Sequence, residues 1–154
     1  MSKSNPYGSN TEGFADVTQL VDTDKPLKVK VKKANVDDAL CRVPGYCAIA
    51  LALKDDPSIL DGRVGATVAY VVYKDEPDTA YRFTVRGLTQ QMVKAFDGTG
   101  TYGEKGAFFA PGSYELAAPT PSQQLGAWAD RQYGRSANPR PRAYTMPLRH
   151  IGLS

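Results

Sequence analysis

Two segments of this chain alternate strictly between apolar residues and charged or polar ones, and this period of two constrains the fold more than any other feature. The segments are LKVKVKK, beginning at Leu27, and AYRFTVRG, beginning at Ala80. A β-strand turns successive side chains to opposite sides, which a helix does not. Each segment is therefore predicted to be a strand with one face in the core and one face toward solvent.

Apolar residues with helical spacing lie between the predicted strands. The run CAIALALK, from Cys47, is apolar on nearly every side and predicts a short buried helix that stops before Pro57. After Gly87 the apolar residues recur along one helical face, and Gly98 stands where a helix commonly ends. A second, amphipathic helix is therefore predicted between these two glycines.

Further strands are predicted for the β-branched and aromatic segment RVGATVAYVVYK and for a short segment around Tyr114 and Leu116. The predicted order of elements is β-α-β-β-α-β. We therefore expect an α+β fold with a mainly antiparallel sheet of about four strands and two helices on one face. The other face is expected to be basic and polar, and open to water or to a partner.

Two segments outside the predicted core domain, residues 27–118, are expected to be extended arms. Residues 1–26 are rich in Ser, Asn, Gly and Thr, and residues 119–154 contain several prolines and allow one short helix around Gln123–Tyr133. Apolar residues punctuate both segments, which a purely solubilising tail would not need. We therefore expect both arms to become ordered on neighbouring subunits.

The C-terminal arm is the predicted partner-binding surface. It carries five arginines against the single acid Asp130, and the arginines alternate with aromatic residues and prolines. Arginine and aromatic side chains are concentrated at the energetic centres of protein interfaces. The candidate contact residues are Trp128, Arg131, Tyr133, Arg135, Arg140, Arg142, Tyr144 and Arg149.

Nucleic acid is the alternative partner. A basic sheet face, with tyrosines nearby for base stacking, would bind phosphates together with the C-terminal arm. A solvated sheet face explains the same charges without a ligand, and the net charge of +3 is too small by itself to imply nucleic acid. The candidate residues of this face are Lys28, Lys30, Lys32, Arg82 and Arg86.

A glycine pattern, Gly98-Thr-Gly-Thr-Tyr-Gly103, matches the G-x-G-x-x-G fingerprint of dinucleotide-binding folds. That fingerprint follows a strand and opens a helix, so that the helix N-terminus faces the pyrophosphate. Here the glycines follow a predicted helix and precede a strand. We therefore predict a helix end and a loop, and expect no cofactor.

Catalytic and metal-binding patterns are weak. Cys41 and Cys47 lack the spacing of a zinc site, and the only histidine, His150, lies in the C-terminal arm. The adjacent acids at 37–38 and 55–56 are better explained as solvated helix ends than as acid–base pairs. We expect no metal and no catalytic site. Whether the two cysteines pair is left open, and packing of Cys47 as a small apolar group at the start of its helix is the simpler expectation.

Four segments of the chain, KVKVKKANVDDAL, CAIALALKDD, QMVKAFDG and GSYEL, together resemble a group of small uncharacterised bacteriophage proteins, over roughly residues 28–116. In that group a short basic strand leads to a C-A-I-A-L-A-L-type helix, and a later helix ends in an A-F-D-G-type segment before a last strand. The two long arms depart from the compact members. The resemblance implies a phage origin and carries no catalytic signature.

These observations predict a non-enzymatic phage structural or interaction protein, a virion- or capsid-associated component whose arms order on neighbouring subunits. The expected partners are copies of itself or other phage proteins, with nucleic acid as the alternative. A small-molecule or host-protein binder is a third hypothesis, and an enzyme comes last. The chain opens without an apolar signal region, and its longest apolar run, 48–53, is too short to span a bilayer. We therefore expect no membrane association and a location in the virion or the host cytoplasm.

Overall fold

The computed structural model describes residues 12–98 and 109–134 and the backbone of a two-residue strand at 143–144. Within these residues the chain forms seven strands, four α-helices and three short 3-10 turns, at Glu12–Phe14, Pro44–Tyr46 and Pro121–Gln123. The strands and helices, in chain order, are β1 (Gln19–Asp22), β2 (Leu27–Val31), α1 (Lys33–Asp38), α2 (Ala48–Lys54), β3 (Ile59–Val64), β4 (Val68–Tyr73), β5 (Thr79–Thr84), α3 (Gly87–Asp97), β6 (Gly112–Leu116), α4 (Leu125–Tyr133) and β7 (Ala143–Tyr144).

A mixed sheet with the strand order β3-β4-β5-β1-β7 forms the centre of the fold. The strands β3, β4 and β5 form an antiparallel meander, β1 pairs parallel with β5, and β7 pairs antiparallel with β1. Strands β2 and β6 form a separate antiparallel pair. The expected α+β class and the mainly antiparallel pairing are confirmed, but the predicted strands are divided between two sheets.

The two sheets are joined by an isolated bridge between Thr84 and Ala117. The N–H of Thr84 donates to the carbonyl of Ala117 at 2.8 Å, and the N–H of Ala117 donates back at 2.9 Å. The end of β5 and the end of β6 are therefore fixed to each other, and the β2–β6 pair is held against the main sheet.

One face of the main sheet is covered by α2, α3 and the β2–β6 pair. The predicted buried helix is confirmed as α2, in which Ile49 and Leu53 are almost fully covered. Phe96 of α3 packs edge-on against Phe109 at 5.7 Å between ring centroids, and both contribute to the same core as Phe83. Apolar burial on this face is the main source of stability.

The predicted amphipathic helix is confirmed as α3. It ends where Gly98 donates its N–H to the carbonyl of Lys94 at 3.0 Å, while the rest of the glycine pattern, 99–103, lies outside the described part of the chain. Leu88, expected on the buried face, is 67% exposed. The reason is the rotation of the first turn, which directs Thr89 rather than Leu88 against β6.

The opposite face of the main sheet is also covered, which corrects the expectation of an open basic face. Phe14, Leu20 and Leu125 are almost fully buried there, in one cluster with side chains of β4 and β5. The described parts of both expected arms, 12–26, 119–134 and 143–144, therefore pack or pair within the fold of their own chain. Local sequence patterns did not predict that these segments cover the sheet, because β1 has only four residues and pairs with a strand about sixty positions away.

Candidate interaction surfaces

Arg82, predicted for a basic sheet face, is instead engaged in an ion pair with the buried Asp22, and its side chain is only 15% exposed. Its Nη1 lies 3.1 Å from Asp22 Oδ1 and donates to the carbonyl of Gln123 at 2.6 Å. The other carboxylate oxygen of Asp22 accepts the N–H of Leu125, the first residue of α4, at 2.7 Å. Asp22 is only 2% exposed, so this pair fixes α4 to the sheet and leaves Arg82 unavailable to a ligand.

The tyrosines expected to stack on bases do not form an open platform. Tyr70 is buried, and that burial raises the pKa of its hydroxyl. Tyr73 and Tyr81 pack edge-on against each other with 5.5 Å between ring centroids, and Tyr81 donates its hydroxyl to Glu76. All three rings contact other groups of the protein, so the described structure gives no support to the stacking predicted for nucleic-acid binding.

Helix α4 brings together three of the predicted partner-binding residues, Trp128, Arg131 and Tyr133. Its buried side is anchored through Leu125 and Ala129. The rings of Trp128 and Tyr133 meet edge-on with centroids 6.0 Å apart, and Tyr133 is 66% exposed. Arg131 is exposed and donates to the carbonyl of Ser122 at 3.0 Å. We call these three residues the α4 aromatic surface.

The remaining predicted partner residues are not brought into this surface by the described structure. Tyr144 lies in β7, where its backbone pairs with Leu20 of β1. Four arginines lie outside the described residues: Arg135, Arg140, Arg142 and Arg149.

The lysine face predicted for β2 is present. Lys28 and Lys30 of the strand and Lys32, the residue after its end, are exposed and follow one another at about 7 Å. On the paired strand β6, Glu115 stands opposite Lys28 and Ser113 opposite Lys30. The glutamate places a negative charge within this face and reduces its attraction for phosphate.

Arg86 is exposed but lies beyond β6, apart from the lysines. It lines a cleft of about 400 Å³ together with Leu88 and Glu115. Because Glu115 also stands opposite Lys28, a negative charge separates the two groups of positive charge. The five basic residues predicted to act together are therefore divided into three lysines, one exposed arginine and one arginine that is paired with Asp22.

A groove of about 340 Å³ runs between β2 and the segment that follows α2. We call it the β2 groove. Its charged lining consists of Lys28, Lys30, Lys32, Asp55 and Asp56, and its apolar lining of Leu27, Val29, Ala52, Leu53 and Ile59. No sequence pattern predicts this groove by itself, although the alternating lysines and the acids after α2 supply its two walls.

The two aspartates of the β2 groove already accept hydrogen bonds. Asp55 accepts from the side-chain amide of Asn35 at 2.8 Å, and Asn35 in turn accepts the N–H of Lys32 at 2.9 Å. Asp55 is therefore held at the Lys32 end of the groove. The N–H and hydroxyl of Ser58 both donate to Asp56, which lowers the pKa of that carboxyl.

Both cysteines are free thiols in the core. Cys47 precedes the first residue of α2 and accepts the N–H of Ala50 on its Sγ at 3.4 Å. Burial raises the pKa of this thiol to about 11. Cys41 donates to the carbonyl of Phe96 at 3.2 Å. Packing of Cys47 at a helix start is thus confirmed.

No cluster of three or more His, Cys, Asp or Glu side chains suited to a metal ion occurs among residues 12–98 and 109–134. In the same part of the chain, none of the helices combines the length and hydropathy needed to cross a membrane. Comparisons with protein-family models, curated proteins and solved structures found no match to this chain.

Proposed function

We propose that this chain is a non-enzymatic interaction protein of a bacteriophage, a component of the particle or of another phage assembly, that contacts copies of itself or other phage proteins through the α4 aromatic surface. The supporting observation is the exposure of Tyr133, at 66%, beside Trp128 and Arg131. Trp, Tyr and Arg dominate binding energy at protein interfaces. A helix anchored on its other side presents them with little conformational entropy left to lose.

The proposed interface is smaller than the two complete arms that the sequence predicted to bind neighbouring subunits. The apolar residues Phe14, Leu20 and Leu125 are covered by their own chain and give no reason to require a neighbour. Trp128 remains partly exposed and Tyr133 largely so. The α4 aromatic surface is therefore where a partner would remove additional apolar area from water.

The test compares the full chain with its Tyr133→Ala variant by light scattering over a concentration series and by mass spectrometry of purified phage particles. We expect association, or incorporation into particles, that weakens on substitution by about tenfold or more, the size of an interface hot spot. Leu60→Ala is the matched control, because Leu60 is 42% exposed but lies on β3. A chain that is monomeric throughout and absent from particles would overturn the proposal.

Single-stranded nucleic acid is a second candidate, favoured by the three exposed lysines of β2. If all three contact phosphates, log affinity for an oligothymidylate should fall with log salt at a slope of about −2. Lys30→Gln should make that slope shallower by about 0.7, whereas Lys74→Gln, in the turn after β4, should leave it unchanged. Absence of binding at low salt would remove this candidate.

A further inference from the structure

We propose that the edge of β2 that faces away from β6 binds an extended peptide with alternating acidic residues, which adds to the β2–β6 pair as a third strand. This site is separate from the α4 aromatic surface and goes beyond the proposed function. Three observations carry it: the direction of the backbone groups of β2, the row of lysines beside them, and the β2 groove along the same edge.

The direction of the backbone groups follows from the bonds made by β6. Thr89 Oγ1 donates to the carbonyl of Glu115 at 3.0 Å and accepts the N–H of Glu115 at 3.3 Å. Ala117 likewise exchanges two bonds with Thr84 of the main sheet. The backbone groups of Glu115 and Ala117 therefore face away from β2, and those of the intervening Leu116 face toward it.

In an antiparallel pair, residues directly opposite each other either exchange hydrogen bonds or both turn their backbone groups outward. Lys28 stands opposite Glu115, and Lys30 stands opposite Ser113. Lys28 and Lys30 therefore direct their N–H and C=O groups away from β6. No hydrogen bond joins these groups to other described residues, whereas the N–H of Lys32 is taken by Asn35.

Two N–H and two C=O groups thus point along the edge that the β2 groove follows. An added strand would satisfy all four, which is the basis of peptide recognition by strand addition. The groove places the apolar side chains of Leu53 and Ile59 beneath that position. A peptide residue opposite Val29 would turn its side chain toward them, because side chains alternate between the faces of a strand.

Charge selects the peptide residues on either side of that apolar position. Side chains opposite Lys28 and Lys30 would lie on the same outer face as the lysines, with Cα atoms about 5.5 Å apart. Opposite charges at such cross-strand positions stabilise the pairing, and like charges destabilise it. The edge therefore favours the pattern acidic–apolar–acidic.

A second copy of the chain is a poor occupant of this edge. Antiparallel pairing of two β2 strands centred on Val29 would set Lys28 of each copy opposite Lys30 of the other. Lysines on edge strands oppose such self-association. Asp55 and Asp56 keep their charge but are held in place by Asn35 and Ser58, whereas acidic residues opposite Lys28 and Lys30 would lie on the outer face beside the lysines.

The probe is a synthetic capped peptide, Thr-Glu-Val-Glu-Val-Thr, titrated into the isotope-labelled full chain and followed by NMR. We expect saturable binding, with the largest amide shifts at Lys28 and Lys30. A charge-reversed peptide, Thr-Lys-Val-Lys-Val-Thr, should bind at least tenfold more weakly. The acidic peptide methylated on its edge-facing amides should also lose binding, because it can no longer donate to the carbonyls of β2.

Two variants of one position separate backbone pairing from charge. Lys30→Pro removes an N–H that faces the groove without removing a bond to β6, so the fold should be retained and peptide binding lost. Lys30→Gln keeps the N–H and should weaken binding only several-fold. If Lys30→Pro does not fold, the methylated peptide tests backbone pairing with the wild-type protein instead.

The inference is overturned if the charge-reversed peptide binds as well as the acidic one, or if the methylated peptide binds as well as the unmethylated one. It is also overturned if oligothymidylate displaces the acidic peptide and binds Lys30→Pro as tightly as Lys30→Gln, because the lysines would then act as phosphate contacts and the backbone N–H would play no part. Tyr133→Ala should bind the acidic peptide normally. A negative result for peptide binding at β2 can therefore be distinguished from a negative result for association through the α4 aromatic surface.

Discussion

Several buried polar groups in the described part of the protein have a specific partner. Thr89 supplies one hydroxyl that serves both the N–H and the carbonyl of Glu115. Cys47 accepts a backbone N–H at the start of α2, and Tyr114 donates its hydroxyl to the carbonyl of Ala110 at 2.5 Å. These pairings follow from the free energy lost when a polar group is buried without a partner.

The thiol of Cys47 should make stability depend on pH in the alkaline range. Its pKa rises from an ordinary 9.0 to about 11 in the folded protein, because burial disfavours the thiolate. Between these values the unfolded chain loses the proton and the folded chain keeps it, so the free energy of unfolding falls as pH rises. Up to about 2–3 kcal/mol is expected to be lost by pH 11.

Urea unfolding of the wild type and of Cys47→Ser from pH 8 to 11 measures this effect. The serine variant does not titrate in this range, so the difference between the two proteins isolates the thiol from tyrosines and lysines. The same free energy difference at every pH would show that the thiol ionises equally in both states.

At the scale of elements, short structures depend on contacts made far along the chain. Helix α4 has nine residues and would be marginal in isolation. It is held through Leu125, whose side chain is buried and whose N–H is bonded by Asp22. Strand β1, which provides Asp22, is itself placed by parallel pairing with β5. The position of the α4 aromatic surface therefore depends on one buried carboxylate.

Asp22→Ala should destabilise the protein by about 3 kcal/mol, because it leaves Arg82 without its buried counter-charge and the N–H of Leu125 without an acceptor. Chemical denaturation measures this loss. Asp16→Ala is the control, since Asp16 is exposed, and should change stability by less than about 0.5 kcal/mol. Equal effects of the two substitutions would argue against a specific role for Asp22 in fixing α4.

At the scale of the whole molecule, the main sheet lies between two apolar layers. One layer consists of α2, α3 and the β2–β6 pair, and the other is built from residues 12–26 and 119–134, which lie outside the core expected from sequence. Side chains such as Tyr70 and Val72 are buried only because these flanking segments cover them. Residues 27–118 alone therefore do not contain the complete core of the fold.

A fragment of residues 27–118 is expected to lack a cooperative unfolding transition, because it loses β1 and α4 and exposes one face of the sheet. Thermal unfolding followed by circular dichroism, together with dye binding to exposed apolar surface, tests this. The control is a chain that begins at Glu12, which keeps every described element and should unfold like the full protein. A cooperative transition in the fragment would restore the view that both flanking segments are dispensable arms.

The α+β class, the alternation of β2, and the buried helix α2 were all determined by the sequence alone. Each depends on spacing within one short segment, where the period of the side chains directly reports which face is buried. The short helix predicted around Gln123–Tyr133 is likewise present, as α4. None of these features required knowledge of a distant contact.

Only the tertiary structure decided which strands share a sheet and what covers each face. The pairing of β1 with β5 and the bond from Asp22 to Leu125 join positions about sixty and a hundred residues apart, and no local pattern encodes such a contact. The same holds for Arg82, which alternation placed toward solvent and which is engaged by Asp22 and by the carbonyl of Gln123, both distant in sequence. The outward direction of the backbone groups of β2 likewise follows only from a tertiary contact. The bond of Thr89 to the carbonyl of Glu115 fixes which backbone groups of β6 face β2.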